Sequence, residues 1–241
     1  MRTAIALSGL LMVAACGAAA PPAAPDAKVK PGAFPDAHRP VAAIVSDRWS
    51  NEEERDRLRE ADTVMDYSGV RKGMTVADIG AGEGYYTIRL AQRVGAEGRV
   101  LAEDIQPATR DKLAERVTRE ALDMVSVKLG TPADPKLPEN SFDRVFLVHM
   151  YHEIETPYEF LWRLRPALRA GGRVVVVDAD RLTQNHGTPP ALLDCEFAAV
   201  GYVRVERRAM PSAGGYLAMY EARGPRPEPG AIKACESVSG S

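Results

Sequence analysis

Apolar residues in the middle of the chain occur as short continuous runs that alternate with amphipathic segments. Successive runs read MTVADIG, GRVLAEDI, MVSVKLG, FDRVFLVHM and RVVVVDAD, and most of the segments between them have helical spacing. Continuous runs are typical of strands buried on both faces of a parallel sheet. Two later runs, YVRVERRAM and GYLAMYEAR, flank a Pro/Gly turn and indicate a hairpin. The pattern predicts a doubly wound α/β domain with a mostly parallel sheet and a C-terminal antiparallel hairpin.

A helix is expected to precede the first strand. Residues 51–64, NEEERDRLREADTV, combine acidic residues in the first turn with mixed charges at helical spacing. We predict one helix whose charged face is solvated.

A glycine-rich turn follows the first strand, where Gly80, Gly82 and Gly84 give the pattern G-x-G-x-G. Glycine lets the backbone approach a ligand closely, and the next helix points its free N–H groups at that ligand. Dinucleotide folds use G-x-G-x-x-G instead, and the Gly-Lys-Ser/Thr ending of a P-loop is absent. Asp104 ends the second strand, where a carboxylate can accept both hydroxyls of a ribose. The pattern favours a ligand with a ribose and no essential pyrophosphate.

These motifs resemble those of the class I S-adenosylmethionine-dependent methyltransferases. The resemblance is carried by VADIGAGEGYYTIRLA, VLAEDIQP, LPENSFDRVFLVHMYHEI and LRPALRAGGRVVVVD, which together cover residues 74–178. It implies a Rossmann-like fold with seven strands and S-adenosylmethionine as the cofactor. The cofactor-binding residues that it implies are Asp78, Gly80, Ala81, Gly82, Gly84, Tyr85, Asp104 and Ile105.

The same resemblance implies an aspartate near the adenine amino group, after the third strand. The segment GTPADPKLP offers Thr131 or Asp134 for this position. Both stay candidates at this point.

The block HMYHEI carries the candidate catalytic residues. In the resemblance, His149 would face the transferred methyl group. His152 or Glu153 could serve as general base for an acceptor hydroxyl or amine, since both titrate and lie at the cleft. The alternative is that one histidine only forms a hydrogen bond within the strand-to-helix turn.

The same block could suggest a zinc site, because His149, His152 and Glu153 are close in sequence. The order is neither H-E-x-x-H nor H-x-x-E-H, and no third ligand is evident. We therefore predict no metal site.

The first 16 residues resemble a bacterial lipoprotein signal. Arg2 precedes an apolar run at residues 4–13, and small residues stand before Cys16. The run is too short to span a bilayer, which takes about 20 residues as a helix. We expect cleavage before Cys16, lipidation of this cysteine, and a membrane-anchored protein on the periplasmic face of the cell envelope. The alternatives are an ordinary secretory signal, or an apolar leader with a chance cysteine on a cytoplasmic protein.

Composition divides the rest of the chain. Residues 17–40 are rich in Ala and Pro and predict a tether, residues 41–223 form the domain, and residues 224–241 predict a disordered tail. In an oxidising compartment Cys195 and Cys235 could pair. We prefer the unpaired state, with Cys195 buried and Cys235 free, since a domain of this size does not need a bridge to fold.

Charge excludes one class of partner. With 31 basic and 33 acidic residues the net charge is -2, and there is no dense basic run. We expect no nucleic-acid partner.

The leading hypothesis is an S-adenosylmethionine-dependent methyltransferase that acts on an unidentified small molecule or envelope component, as a monomer or weak dimer. One alternative is a non-catalytic exported binding protein that keeps the nucleoside pocket. Another is an NAD-dependent oxidoreductase, against which the glycine spacing and the lack of a catalytic Tyr-Lys or Cys arrangement argue.

Overall fold

The computed structural model describes residues 32–44 and 52–236 of the chain. The helices are α1 (Glu52–Arg57), α2 (Glu60–Tyr67), α3 (Tyr85–Val94), α4 (Pro107–Arg119), α5 (Pro157–Leu164) and α6 (Pro190–Ala199). The strands are β1 (Thr75–Ile79), β2 (Arg99–Asp104), β3 (Val125–Leu129), β4 (Phe142–Val148), β5 (Leu168–Asp178), β6 (Tyr202–Met210) and β7 (Gly215–Ala222).

All these strands belong to one seven-stranded sheet with the order β3-β2-β1-β4-β5-β7-β6. β1 pairs in parallel with β2 on one side and with β4 on the other. β7 runs antiparallel to both β5 and β6. The predicted fold class, including the terminal hairpin, is confirmed. The strand order reverses between β1 and β4, and ligands of such sheets bind outside the carboxyl ends of the strands at that reversal.

The continuous apolar runs form the middle of the sheet. Residues 174–177 of β5 are four consecutive valines, and all of them are fully buried. Successive residues of a strand point to opposite faces, so burial of every residue requires cover on both faces. The helices supply that cover, and the carboxyl ends of the central strands are held rigidly as a result.

The helix predicted over residues 51–64 is two helices. α1 ends at Arg57 and α2 begins at Glu60, because Arg59 has a left-handed backbone with φ of 52°. The expected fully solvated face is also wrong at Glu60, whose side chain is buried.

The N-terminal tether is shorter than predicted. The compact unit that carries the sheet begins at Gly32. Nε of Arg39 donates to Oε1 of Glu196 over 2.8 Å, and both side chains are buried. The Ala42 amide donates to the carbonyl of His152 over 3.2 Å. Residues 32–40 are therefore part of the domain. Their Pro-rich composition predicted a tether, but an ion pair and hydrogen bonds hold this segment on the domain.

The prediction of a disordered C-terminal tail is wrong for residues 224–236. Nε1 of Trp162 donates to the carbonyl of Pro227 over 2.8 Å. The guanidinium of Arg226 lies 3.5 Å from the centre of the Trp162 ring. The Cys235 amide donates to the Tyr158 hydroxyl over 2.6 Å. This part of the tail is held against α5, and residues 237–241 lie outside the described residues.

Cys195 and Cys235 form a disulfide, with their Cα atoms 6.1 Å apart. The preference for unpaired cysteines is wrong. The hydrogen bond at Tyr158 holds the end of the tail close to α6. Amino-acid composition alone does not indicate this contact.

No helix in the described ranges combines the length and apolar character needed to cross a bilayer. Residues 1–31, which include the predicted signal peptide and Cys16, lie outside the described residues.

Candidate cofactor and active site

The glycine turn connects β1 to α3 at the point where the strand order reverses. Gly80, Gly82 and Gly84 have φ values of 66°, 56° and 92°, which side chains other than glycine rarely adopt. A Cβ at Gly84 would come within 2.5 Å of the Leu113 side chain, whereas one at Gly82 would meet no atom within 4 Å. Gly84 is required for packing of the turn on α4, and Gly82 faces open space.

Asp104 is fixed beside this turn by two backbone amides. The Gly82 amide donates to Oδ2 over 3.1 Å, and the Gln106 amide donates to Oδ1 over 2.8 Å. The carboxylate is only 6% exposed. Each carboxylate oxygen can accept more than one hydrogen bond, so both stay able to accept from a ligand hydroxyl.

A cavity of about 230 Å³ opens at the carboxyl ends of β1, β2 and β4. It is lined by eight of the ten predicted cofactor residues, namely Asp78, Gly80, Ala81, Gly82, Tyr85, Asp104, Ile105 and Thr131. Gly84 is not in the wall because it packs on Leu113. Asp134 is not in the wall either, because it turns back to pair with Thr131. Of the two residues proposed near adenine, the structure therefore places only Thr131 at the cavity.

Two of the residues that line the cavity, Asp78 and Glu103, carry buried carboxyl groups. Burial raises the pKa of Asp78 to about 6, although Thr87 Oγ1 donates to its Oδ2 over 2.6 Å. Burial, reinforced by the negative charge of Asp104, raises the pKa of Glu103 to about 8. Glu103 was not predicted from the sequence, because the recognisable motif at the end of β2 is its neighbour Asp104.

The cavity wall also includes Glu52 and Arg55 of α1, a helix that was predicted to have a solvated face, and Arg55 connects this wall to α2. Arg55 donates two hydrogen bonds to Glu60, at 2.6 and 3.0 Å, and its guanidinium lies 3.7 Å from the centre of the Tyr85 ring. The Tyr86 hydroxyl donates to Oε1 of Glu60 over 2.9 Å. Burial opposes ionisation of Glu60, but the contacts with His149 and Arg55 outweigh it and lower the pKa of Glu60 to about 2. This carboxylate is ionised at neutral pH.

His149 lies at the cavity, immediately after β4. Its φ is 54°, an uncommon value for a residue with a side chain, and its amide donates to the carbonyl of Val177 over 2.8 Å. Nε2 lies 3.6 Å from Oε1 of Glu60. Backbone strain of this kind is common at functional sites. Glu153 also lines the cavity, so two of the three predicted catalytic residues are in its wall.

His152 is the third predicted catalytic residue, and its position requires a correction. The side chain is 1% exposed and is not in the cavity wall. Nδ1 lies 3.0 Å from Oδ1 of Asp178 at the end of β5. A fully buried imidazole held in this way does not reach an acceptor in the cavity.

His186 is a residue that the sequence analysis did not consider. Three atoms lie within 4.8 Å of one another: one ring nitrogen of His186, one carboxylate oxygen of Glu153 and one ring nitrogen of His152. His186 follows a different strand from the HMYHEI block, so no local spacing could reveal this grouping.

Comparison with known proteins relates the middle of the chain to a family. Residues 77–176 match the family model described as a methyltransferase domain. The matched segment runs from within β1 to within β5, and therefore includes the glycine turn, Asp104 and His149.

Two curated relatives illustrate the similarity. The chain is 33% identical over 120 residues to the ubiquinone/menaquinone biosynthesis C-methyltransferase UbiE of Idiomarina loihiensis, covering 47% of this chain and 46% of that protein. It is 41% identical over 83 residues to the nocamycin O-methyltransferase of Saccharothrix syringae, covering 34% of this chain and 29% of that protein. The chain thus spans less than half the length of either relative.

The fold extends beyond the matched segment. A crystal structure of a SAM-dependent methyltransferase from Aquifex aeolicus superposes with a TM-score of 0.60 at 21% identity, covering 71% of this chain and 97% of that one. The shared fold is the Rossmann-like methyltransferase fold. Together, the family match and the relatives imply S-adenosylmethionine as the cofactor.

The residues of the cavity fit that cofactor. Asp104 presents a fixed carboxylate of the kind that binds ribose hydroxyls. The space beside Gly82 leaves room for a ligand against the backbone. Ile105 offers an apolar side chain next to Asp104, and the acidic group of Glu83 in the wall suits a sulfonium cation.

Proposed function

We propose that this chain is an S-adenosylmethionine-dependent methyltransferase that methylates a small molecule bound in the cavity. The fixed carboxylate of Asp104 is the observation that supports this most, because it lies in the cavity wall within a matched methyltransferase domain. Two backbone amides hold the group before any ligand arrives. A preorganised carboxylate binds a ribose at a lower entropic cost than a mobile one.

The two sides of the cavity have different tasks in this proposal. Asp104, Ile105 and the turn at Gly82 hold the cofactor, which supplies an electrophilic methyl group on its sulfonium. The wall formed by Tyr85 and His149 orients the acceptor. Holding two reactants in line contributes several orders of magnitude in rate, so the protein needs to supply little covalent chemistry.

We assign His149 as the general base. Its Nε2 lies 3.6 Å from Oε1 of Glu60, which is ionised at neutral pH. A nearby carboxylate stabilises the imidazolium that forms when His149 takes a proton from the acceptor. Glu153, in the same wall, is the second titratable group that could receive that proton.

The acceptor class follows from the wall and from the relatives. The names of the two relatives specify transfer to carbon in one case and to oxygen in the other. The cavity wall also contains the apolar side chains of Met150, Ile154 and Phe160. We therefore propose a small, largely apolar acceptor with an ionisable hydroxyl group.

The test is acceptor-dependent formation of S-adenosylhomocysteine by the purified protein with a panel of phenols and hydroquinones. His149→Gln should lower the rate by at least about 100-fold, the usual contribution of a general base. His38→Gln is the matched control, because His38 is exposed and outside the cavity. Binding of S-adenosylhomocysteine without turnover of any acceptor would overturn the proposal in favour of a binding protein.

We also propose that the protein is exported and anchored to the membrane through lipidated Cys16. The lipoprotein-type signal supports this, and so does the disulfide between Cys195 and Cys235, since disulfides persist mainly in oxidising compartments. In cells, Cys16→Ala should abolish globomycin-sensitive processing and move the protein out of the membrane fraction. Cys195→Ser is the matched cysteine control. A full-length wild-type protein in the cytoplasmic fraction would contradict the proposal.

A further inference from the structure

Three potential metal ligands converge next to the cavity, on segments that are distant in sequence. His152 and Glu153 lie in the 3₁₀ turn Tyr151–Glu153 after β4, and His186 follows the 3₁₀ turn Thr183–Asn185 in the loop after β5. One ligand atom from each side chain lies within 4.8 Å of the other two. We propose that His152, Glu153 and His186 bind one divalent transition-metal ion of the zinc type.

The buried histidine is oriented for this task. Nδ1 of His152 lies 3.0 and 3.2 Å from the two carboxylate oxygens of Asp178. Nε2 of His152 is buried and has no hydrogen-bond partner among the described residues. A buried polar nitrogen without a partner is costly, and a metal ion would relieve that cost.

Asp178 is itself held in place. Its Oδ1 accepts a hydrogen bond from the Ala179 amide over 2.9 Å, and its Oδ2 accepts one from Thr188 Oγ1 over 2.7 Å. Metal-binding histidines usually donate the other ring N–H to a carboxylate, which fixes the ring and raises its basicity. The pair of His152 and Asp178 has this arrangement, with Nε2 left to bind the ion.

The donor set determines the kind of ion. Two imidazoles and one carboxylate are a known catalytic zinc set, which leaves the fourth position to water or a ligand. Ligands bound to zinc at about 2.0–2.2 Å lie roughly 3–4 Å from one another. The three ligand atoms already lie within 4.8 Å of one another. Small rotations of the half-buried side chains of Glu153 and His186 would therefore bring them to the separation found around a bound zinc ion.

Such an ion would connect the cavity wall to the loop after β5. Glu153 is the ligand that also lines the cavity, so the ion would fix the segment that includes His149 and Met150. The proposal does not depend on methyl transfer, because metal content is measured without a cofactor or an acceptor.

The experiment is metal analysis of the full chain, purified without a polyhistidine tag, stripped with a chelator and dialysed against buffered Zn²⁺. The wild type should bind about one equivalent, and His186→Ala and Glu153→Gln should each lower the zinc affinity by at least about tenfold. Asp178→Asn should lower the zinc affinity about 10–100-fold, because it changes only the carboxylate that orients His152. His38→Ala should have no effect, because His38 is exposed and outside the cluster.

Circular dichroism and Co²⁺ substitution complete the test. The variants should keep the wild-type helical signal, and the Co²⁺ protein should show a visible ligand-field band that His186→Ala changes. If His186→Ala does not fold, the milder Glu153→Gln variant decides the question. No metal uptake by the wild type, or uptake unchanged in both variants, would overturn it.

Discussion

The amide of Gly82 donates a hydrogen bond to Oδ2 of Asp104 over 3.1 Å, which joins the turn after β1 to the end of β2. This contact links the two strongest sequence signals, the glycine pattern and the acidic residue, in a single piece of the cavity wall. The left-handed backbone of Gly82, with φ of 56°, points the amide at the carboxylate.

Gly82→Ala is expected to affect ligand binding more than stability. A left-handed backbone costs a non-glycine residue roughly 1–2 kcal/mol, and the added Cβ meets no protein atom within 4 Å. Gly73→Ala is the matched control, since Gly73 has φ of 80°, equal space, and lies outside the cavity. Both variants should lose similar free energy of unfolding in urea. Only Gly82→Ala should weaken binding of S-adenosylhomocysteine, and equal affinity in both variants would contradict the assignment.

Glu103 should make the protein less stable as pH rises. Its pKa is raised to about 8 from an ordinary value of 4.5, so between these values the folded state keeps a proton that the unfolded state releases. The free energy of unfolding therefore falls through this window, by up to a few kcal/mol at about 1.4 kcal/mol per pH unit. Glu103→Gln should remove this slope in urea titrations from pH 6 to 8, above the pKa of about 6 of Asp78, whose own raised pKa adds to the slope at lower pH. The exposed Glu97→Gln control should retain it.

Glu60 should have the opposite effect. Its pKa is lowered to about 2, so its ionised form stabilises the fold above pH 4.5, and that stability is lost as pH falls towards 2. Glu60→Gln should cost about 3 kcal/mol at pH 7, because it also leaves Arg55 without its carboxylate partner. The difference from wild type should shrink in acid. The same loss in Glu54→Gln, where the side chain is exposed, would show that the ion pair is not the cause.

The disulfide should hold the C-terminal segment and stabilise the domain. Cys195 and Cys235 are 40 residues apart, and closing a loop of that length contributes about 3–4 kcal/mol in the chain-entropy model. Wild type in reductant, and the double variant Cys195→Ser with Cys235→Ser, should lose similar free energy of unfolding. Reductant should not change the double variant. An unchanged urea midpoint after reduction of the wild type would contradict this prediction.

The sequence predicts the sheet and the cofactor turn because both depend on local signals. Continuous apolar runs follow from strands buried on both faces, and the positive φ values at Gly80 and Gly82 require glycine wherever the chain folds this way. Asp104 is recognisable because a strand end fixes its position relative to the turn.

Other features arise from contacts between distant segments, which no local pattern encodes. The break at Arg59, the packing of Pro227 against Trp162 and the burial of Glu60 depend on the surface that each segment meets. His186 joins His152 only because β4 and β5 are neighbours in the sheet. The prediction for the tail was wrong because it was based on composition. The known zinc motifs have short spacings between their ligands, so they do not include a residue as distant as His186.

Calorimetric titration of the purified protein with S-adenosylhomocysteine, and separately with NAD, tests the central claim most directly. We expect saturable binding of S-adenosylhomocysteine, none of NAD, and loss of binding in Asp104→Ala. Asp134→Ala should bind like the wild type, because Asp134 is outside the cavity wall. Absence of S-adenosylhomocysteine binding, or equal binding by Asp104→Ala and the wild type, would contradict the account.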